Sequence, residues 1–280
     1  MEIAEQHPQF LKATIFKALH TRPGIFVIPN AWEAGSAKIL ASLGFEAIAS
    51  TSAGLAYSMG KPDGESKITR EDTIKNAGAI VNATNLPVSA DLENGYSDDP
   101  ESCAQTILLA AGVGLVGGSI EDATGQPEEP ILPFELSLER IRVAVNVARS
   151  LPFPFTLTAR AENLIYGRPD LRDTIRRLEA FADAGADVVF APGLRTREEV
   201  SMVVKAVAPC PVNVVIGSGQ QGFTVKVLED LGVKRISLGS SLIRAAYTGL
   251  LKASEEISKK GSFGFTDETV SYSVFNDLFK

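Results

Sequence analysis

The strongest constraint in this chain is a unit that recurs: a short apolar run, one or two polar residues at its end, then a capped helical pattern. The first instance runs from Ile25 to Ile28, ends in Asn30-Ala31-Trp32, and continues into a helical pattern from Glu33 to Leu43 that Gly44 closes. Further strands are expected at Ala47 to Ser50, Pro87 to Ala90, Gly114 to Ile120, Phe155 to Ala159, Asp187 to Phe190, Val212 to Ile216 and Arg235 to Leu238. Helical patterns separate them at Thr69 to Thr84, Pro100 to Ala111, Ser137 to Ser150, Asp170 to Ala184, Thr196 to Val207, Gln221 to Leu231 and Ser241 to Ser258. Glycine stands at the expected stops, Gly44, Gly112, Gly185 and Gly232. Eight strands, each with its helix, at intervals of roughly 20 to 40 residues, is the arithmetic of an α/β fold, the (β/α)8 TIM-type barrel. A doubly wound sheet is the other arrangement open to such a repeat.

A chain of 280 residues with 45% apolar content buries one large core. No linker divides it before about residue 258, so residues 1–258, with a helix at Pro8 to Leu19, read as one catalytic barrel. Residues 259–280 read as a helical tail, hinged at Lys259-Lys260-Gly261-Ser262. A net charge of -7 argues against nucleic acid or an acidic membrane as partner. No apolar run approaches the ~18 residues of a membrane span, and the start of the chain, with Glu2, Glu5 and His7, lacks the form of a signal peptide. Two cysteines, Cys103 and Cys210, make no disulfide framework, so a cytoplasmic location is expected. Both histidines, His7 and His20, precede the first strand, which removes most triads and imidazole metal sites.

In a barrel of this kind chemistry collects where strands end at the carboxyl face. Those ends carry Asn30, Trp32, Thr51, Ser52, Ala53, Asp91, Glu93, Glu121, Asp122, Arg160, Glu162, Pro192, Asn213, Ser218, Gly239 and Ser240, a polar set behind which the strands are apolar. Asp91 and Glu93, two apart in Val88-Ser89-Ala90-Asp91-Leu92-Glu93, point to one side if the strand continues through them. With Glu121 they supply hard oxygen donors suited to Mg2+ or Mn2+, although each also reads as an acid capping a helix or pairing with a surface lysine. Arg160 emerges beside them, as a structural partner or as a clamp on an anionic substrate. Ser50-Thr51-Ser52-Ala53-Gly54 offers hydroxyls and amides to a carboxylate, or is an ordinary turn. Gly217-Ser218-Gly219 and Gly239-Ser240-Ser241 follow the seventh and eighth strands, where many barrels hold phosphate; tight turns are the preferred reading. A metal and oriented amides holding a 2-oxo acid suit reactions that pass through an enolate.

These residues resemble the isocitrate lyase and phosphoenolpyruvate mutase superfamily. The matching pieces are Asn30-Ala31-Trp32 with Ser36-Ala37, Gly44-Phe45, Thr51-Ser52-Ala53, Asp63 in Gly60-Lys61-Pro62-Asp63-Gly64, Asp91-Leu92-Glu93-Asn94-Gly95-Tyr96, Ile120-Glu121-Asp122, Ala159-Arg160-Ala161-Glu162 and Asn213. The resemblance implies a magnesium ion held directly by Asp91 and through water by Asp63, Glu93 and Glu121. It implies a small carboxylate substrate lying against Thr51, the amides of Ser52 and Ala53, and Arg160, with Trp32 and Asn213 also lining its site. It implies a C-terminal helix exchanged between paired subunits in a homotetramer, a dimer of dimers. Asp63 by pattern alone is a turn aspartate.

The departures bear on activity. Lyases of this family carry a Lys-Lys-Cys-Gly-His type lid after the fourth strand; here the segment is Ala123-Thr124-Gly125-Gln126-Pro127-Glu128-Glu129-Pro130-Ile131-Leu132-Pro133, with no cysteine, lysine or histidine. Isocitrate and methylisocitrate cleavage are therefore not expected. The mutase pattern of lid lysine and asparagine, with a later histidine, is missing too: Pro127 and Glu129 fill the lid, and Pro192 stands near the histidine's place. The expected activity is a magnesium-dependent carbon-carbon lyase or decarboxylase acting on a small 2-oxo or 2-hydroxy acid. The alternatives are phosphorus-carbon chemistry and a barrel that binds 2-oxo acids without turnover. Candidate proton carriers are Glu128 or Glu129 on the lid, and Tyr96 or Tyr57.

Overall fold

The computed structural model describes residues 8–220 and 222–280. Glu2, Glu5, His7 and Gln221, named above, lie outside the described residues. The strands form a ring of parallel pairings, in the order β1-β9-β8-β7-β6-β5-β4-β3-β2. They are β1 (Phe26–Ile28), β2 (Asn30–Ala31), β3 (Ile48–Ser50), β4 (Val88–Asp91), β5 (Gly117–Glu121), β6 (Thr156–Arg160), β7 (Val188–Phe190), β8 (Val212–Val215) and β9 (Arg235–Ser237). Only Pro29 separates β1 from β2. Phe26 to Ile28 pair with β9, while Asn30 and Ala31 pair with β3, so one interrupted strand closes the ring. Proline has no amide to donate at the break, but its carbonyl accepts from Ala49 N at 2.9 Å. The expected eight-stranded barrel is therefore what the chain forms.

Helices follow the strands: α1 (Pro8–Thr21), α2 (Ala34–Ser42), α3 (Ser52–Ser58), α4 (Arg70–Asn82), α5 (Pro100–Gly112), α6 (Phe134–Ser150), α7 (Leu171–Asp183), α8 (Arg197–Val207), α9 (Val225–Asp230), α10 (Ser241–Lys260) and α11 (Tyr272–Phe279). Their starts are written in capping residues. Reciprocal side-chain and backbone bonds join Thr69 to Asp72 and Thr196 to Glu199. Asp99 and Asp170 accept from the first-turn amides of α5 and α7. Most expected boundaries hold within a few residues. Strand β5 starts at Gly117 rather than Gly114, because Gly114 is left-handed (φ 97°) and ends the preceding turn. The stretch at 50–54, read as a cradle for a carboxylate or as an ordinary turn, opens α3, with Thr51 as its N-cap.

The core lies between the strands and the outer helices, led by Leu92, Ile107, Leu115, Ile120, Phe155, Leu157 and Phe181, all essentially inaccessible to water. Helix α1 closes the amino-terminal end: Ala13, Phe16 and Leu19 pack on Phe26, Ile28 and Val116. His20 sits in this floor, edge-on to Phe16 and Phe26 at 4.8 and 5.0 Å between ring centroids. Its Nδ1 donates to Phe16 O (2.8 Å), and Nε2 accepts from Arg235 Nη1 (3.3 Å). Helix α10 buries only Ile243, leaving Leu250 and Leu251 more than 60% exposed. Helix α11 lies on α2, where Lys38 Nζ reaches Phe279 O at 2.7 Å. No helix among the described residues is long and apolar enough to cross a membrane.

Burial, aided by Arg235, lowers the pKa of His20 to about 3. The unfolded chain protonates this imidazole near 6.5 while the folded chain does not, so its contribution is intact above that pH and is lost as pH falls toward 3. His20→Gln is expected to flatten the acid limb of stability between pH 6.5 and 4 by up to about one proton, or ~1.4 kcal/mol per pH unit. Urea unfolding midpoints across that range measure it; an unchanged slope contradicts the assignment.

Candidate active site

Arg160, the last residue of β6, organises the carboxyl face. Its Nη1 lies 2.9 Å from Asp91 Oδ1, Nη2 3.1 Å from Glu121 Oε2, and Nε 3.0 Å from Glu162 Oε1. Strand register brings them together: Asp91 pairs with Ser119, and Glu121 with Arg160, so three strand ends meet. The guanidinium also lies over the Phe190 ring, 5.0 Å from its centroid. Asp91 Oδ2 accepts from Ser52 Oγ (2.9 Å) and Ser52 N (3.3 Å), and Asp91 N donates to Ser50 Oγ (3.0 Å). The first turn of α3 is thereby fastened to the end of β4.

The strand that carries Asp91 does not extend to Glu93. The strand ends at Asp91, and Glu93 is left-handed (φ 48°), as is Tyr96 (φ 62°), with Gly95 (φ 71°) between them. Two non-glycine residues in this region cost of order 1–3 kcal/mol each and need the surroundings to hold them. Two guanidinia do so: buried Arg140 donates to Glu121 O (3.1 Å) and to Asn94 O, and half-buried Arg70 donates to Gly95 O (3.3 Å). A Cβ on Gly95 would stand 2.5 Å from Cys103 Sγ, so no other residue fits there.

Two chambers open at the carboxyl face. The larger, about 280 Å³, is lined by Asp91, Thr51, Ala53, Asn213, Pro192 and others. The smaller, about 110 Å³, is lined by Glu93, Glu121, Glu162 and Tyr166. Ser52, Asp63 and Arg160 face both. Burial pushes Glu93 up to about 8, with Asp91 and Asp63 adding repulsion. Asp63 is raised by burial and by Asp91. Glu121 and Glu162 are raised chiefly by burial, against the pull of Arg160. Arg160 pairs with three of these five carboxyl groups, and a donor set made only of oxygens fits a hard divalent cation. Among the described residues no three His, Cys, Asp or Glu side chains stand close enough to enclose an ion directly.

The other sequence candidates are dispersed. Glu128 and Glu129 are exposed on the 123–131 loop, where Ala123 pairs with Ile131 and Thr124 Oγ1 bonds Glu129 O at 2.6 Å. Tyr96 is tied to Thr73 through their hydroxyls (2.5 Å), and neither it nor Tyr57 lines either chamber. Trp32 also lies off the chambers, its Cβ 2.8 Å from where a Cβ on Gly54 would be. Asn213 is buried, donating to Ser237 Oγ (2.9 Å) and accepting from Arg235 Nε (2.8 Å). Tyr166, which sequence reasoning passed over, faces the small chamber, and burial keeps its phenol protonated. Arg70 and Arg140 were also missed, since nothing in a helical pattern marks an inward guanidinium. The turns after β8 and β9 have committed amides: Gly217 N donates to Gln220 Oε1 (2.7 Å), and Leu238 N and Gly239 N donate to Asn30 Oδ1 (2.8 and 2.9 Å).

Residues 16–258 match the family model described as phosphoenolpyruvate phosphomutase. The chain belongs to that family. It lies within the isocitrate lyase and phosphoenolpyruvate mutase superfamily expected from the sequence. A solved protein of Burkholderia cenocepacia J2315, described as a candidate lyase/mutase, is 51% identical, with a TM-score of 0.94 over 97% of this chain and 96% of that one. A structure of oxaloacetate acetylhydrolase in complex with the product oxalate is 26% identical, with a TM-score of 0.87 over 96% and 94% of the two chains. The 2,3-dimethylmalate lyase of Eubacterium barkeri is 26% identical over 90% of this chain and 88% of its own. Members of the superfamily thus include lyases, a hydrolase and mutases.

Arg160→Met leaves Asp91, Glu121 and Glu162 without their shared cation. Stability near neutral pH is expected to fall by about 3–5 kcal/mol in denaturant unfolding, with partial recovery in acid as the carboxyls protonate. A loss below ~1 kcal/mol contradicts the central role of this residue.

Proposed function

We propose that the chain is a Mg2+- or Mn2+-dependent enzyme that cleaves a carbon-carbon bond beside the 2-oxo or 2-hydroxy carboxylate of a small acid, through an enolate. The observation that carries this reading is the wall shared by the two chambers, where Arg160 and Ser52 grip Asp91 between an acid-rich compartment and a substrate-sized one. Asp91 would hold the ion directly, and Asp63, Glu93 and Glu121 through water, an arrangement suited to an ion that dehydrates reluctantly. When bound, the ion supplies a Lewis acid that polarises the carbonyl and offsets charge developing on its oxygen. Arg160 and the first-turn amides of Ser52 and Ala53 orient the substrate carboxylate, and Thr51 borders it. Tyr166, kept protonated, is placed to donate a hydrogen bond rather than to remove a proton. Kinship with oxaloacetate acetylhydrolase and 2,3-dimethylmalate lyase supports cleavage between carbons. The amides of Gly217, Leu238 and Gly239 in the turns after β8 and β9 are already held by side chains, which counts against phosphate chemistry there.

Protein stripped of metal and resupplied with Mg2+ or Mn2+ is expected to release a 2-oxo acid or oxalate from oxaloacetate or substituted malates, with phosphonopyruvate as a control. Asp91→Ala is expected to lower kcat/KM by about 100-fold or more. Turnover that ignores both metal and Asp91 contradicts the proposal. Ligand-induced thermal shifts without turnover favour a binding protein.

The uncovered apolar side of α10 supports a second proposal, that paired subunits cover it in a homo-oligomer. Leu250→Glu with Leu251→Glu is then expected to lower the mass measured by light scattering; an unchanged mass speaks against it.

A further inference from the structure

Arg235 is a charge that the proposed chemistry does not use. It opens β9, yet its Nη2 reaches Thr158 Oγ1 on β6 at 3.0 Å, three strands away around the ring, so the side chain spans the inside of the barrel. Its Nε donates to Asn213 Oδ1 (2.8 Å) and its Nη1 to His20 Nε2 (3.3 Å). The residue is 5% exposed, and all three partners are neutral. Among the described residues no carboxylate pairs with it. Burial lowers its pKa to about 9, which leaves it charged at neutral pH. A guanidinium taken out of water and held only by neutral groups keeps much of the cost of burying its charge.

This guanidinium lines the deep end of the larger chamber. Register sets the depth: Thr158 stands two residues below Arg160 along β6, and Arg235 pairs with Phe26, the first residue of β1. The interior at this level carries the small side chains of Ala49, Ser89 and Ser119, where many barrels pack bulky branched ones. Phe16 of α1 closes it from below, its ring 2.8 Å from where a Cβ on Gly117 would stand. Ser119 lies in register beside Thr158, and Ser89 is 6% exposed. Both line the chamber, and neither hydroxyl makes a hydrogen bond with a described residue. Arg235 itself has two of its five N–H groups unspent. Free donors and one unanswered positive charge therefore share the bottom of the shaft.

We propose that the deep end of the larger chamber, beneath the substrate, binds a small monovalent anion of the halide class as the counter-ion of Arg235. The side-on fork that would take a carboxylate is already spent, because Nε is given to Asn213. A spherical anion needs no fork, and hydroxyls can turn their hydrogens toward it. An ion that binds only the folded chain stabilises it in proportion to its occupancy.

The test follows the unfolding midpoint of the full chain at fixed ionic strength as chloride replaces isethionate, a bulkier organic sulfonate. Going from chloride-free buffer to about 100 mM chloride is expected to raise the midpoint by about 2–4 °C. Arg235→Gln is expected to abolish that rise, and Ser119→Ala to reduce it. Asp91→Ala, which removes a ligand of the proposed metal, is expected to keep it, so this site and the proposed function stand or fall separately. Crystals grown in bromide give a second measurement on the unaltered chain, an anomalous scattering peak beside Arg235, and they decide the matter if Arg235→Gln does not fold. A midpoint indifferent to chloride, an equal rise in Arg235→Gln, or bromide peaks confined to the surface overturns the site. A carboxylate seated on Arg235 in crystals soaked with oxaloacetate and bromide together overturns the halide assignment.

Discussion

The carboxyl face of this barrel depends on one guanidinium satisfying three acids at once. Arg160 comes from β6, Asp91 and Glu121 from the two strands before it, and Glu162 from its own strand's continuation. Acids gathered this closely out of water repel one another, and a single cation does not neutralise them. Glu93, Asp63, Glu121 and Glu162 are pushed up chiefly by burial, with repulsion from neighbouring acids adding to it. A site that is short of positive charge by construction is prepared for a cation, and the proposed chemistry follows from that imbalance.

Support for the cluster comes from a surrounding layer of buried charge. Asp122 accepts from Glu162 N (2.8 Å) and pairs with Arg177 (2.9 Å), which also donates to Leu132 O (3.1 Å). The loop after β5 is thus anchored at its far end to α7, while its tip, with Glu128 and Glu129, stays in solvent. Buried ion pairs are weak sources of net stability but costly to break, so they fix geometry more than they add free energy. Arg140 and Arg70 fix the strained turn at 93–96 in the same way, by bonding its carbonyls.

The barrel was legible because strand and helix periodicities alternate without interruption and the capping residues are explicit. The acids and Arg160 were legible because polar residues that end apolar strands are conspicuous. Strand alternation stops short of Glu93, because the strand ends at Asp91 and the chain then turns left-handed. Helix α3 escaped notice because a Thr-Ser-Ala-Gly stretch reads equally as a turn until Thr51 is seen to cap it. Arg235 left a trace, a charge inside an apolar strand, yet its partners come from α1, β6 and β8, and no local pattern announces them.

The interruption at Pro29 has a bearing on how the ring is sealed. Where the first strand steps from one neighbour to the other, the side chain of Asn30 takes over from the backbone: its Nδ2 donates to Ser50 O (2.7 Å), and its Oδ1 receives the amides of Leu238 and Gly239. A single carboxamide therefore rivets the beginning of the chain's circuit to its end, holding the turn that leads into α10 at a set height above the third strand. Because an amide presents both a donor and an acceptor, neither a carboxylate nor a hydrocarbon of the same size would complete that joint.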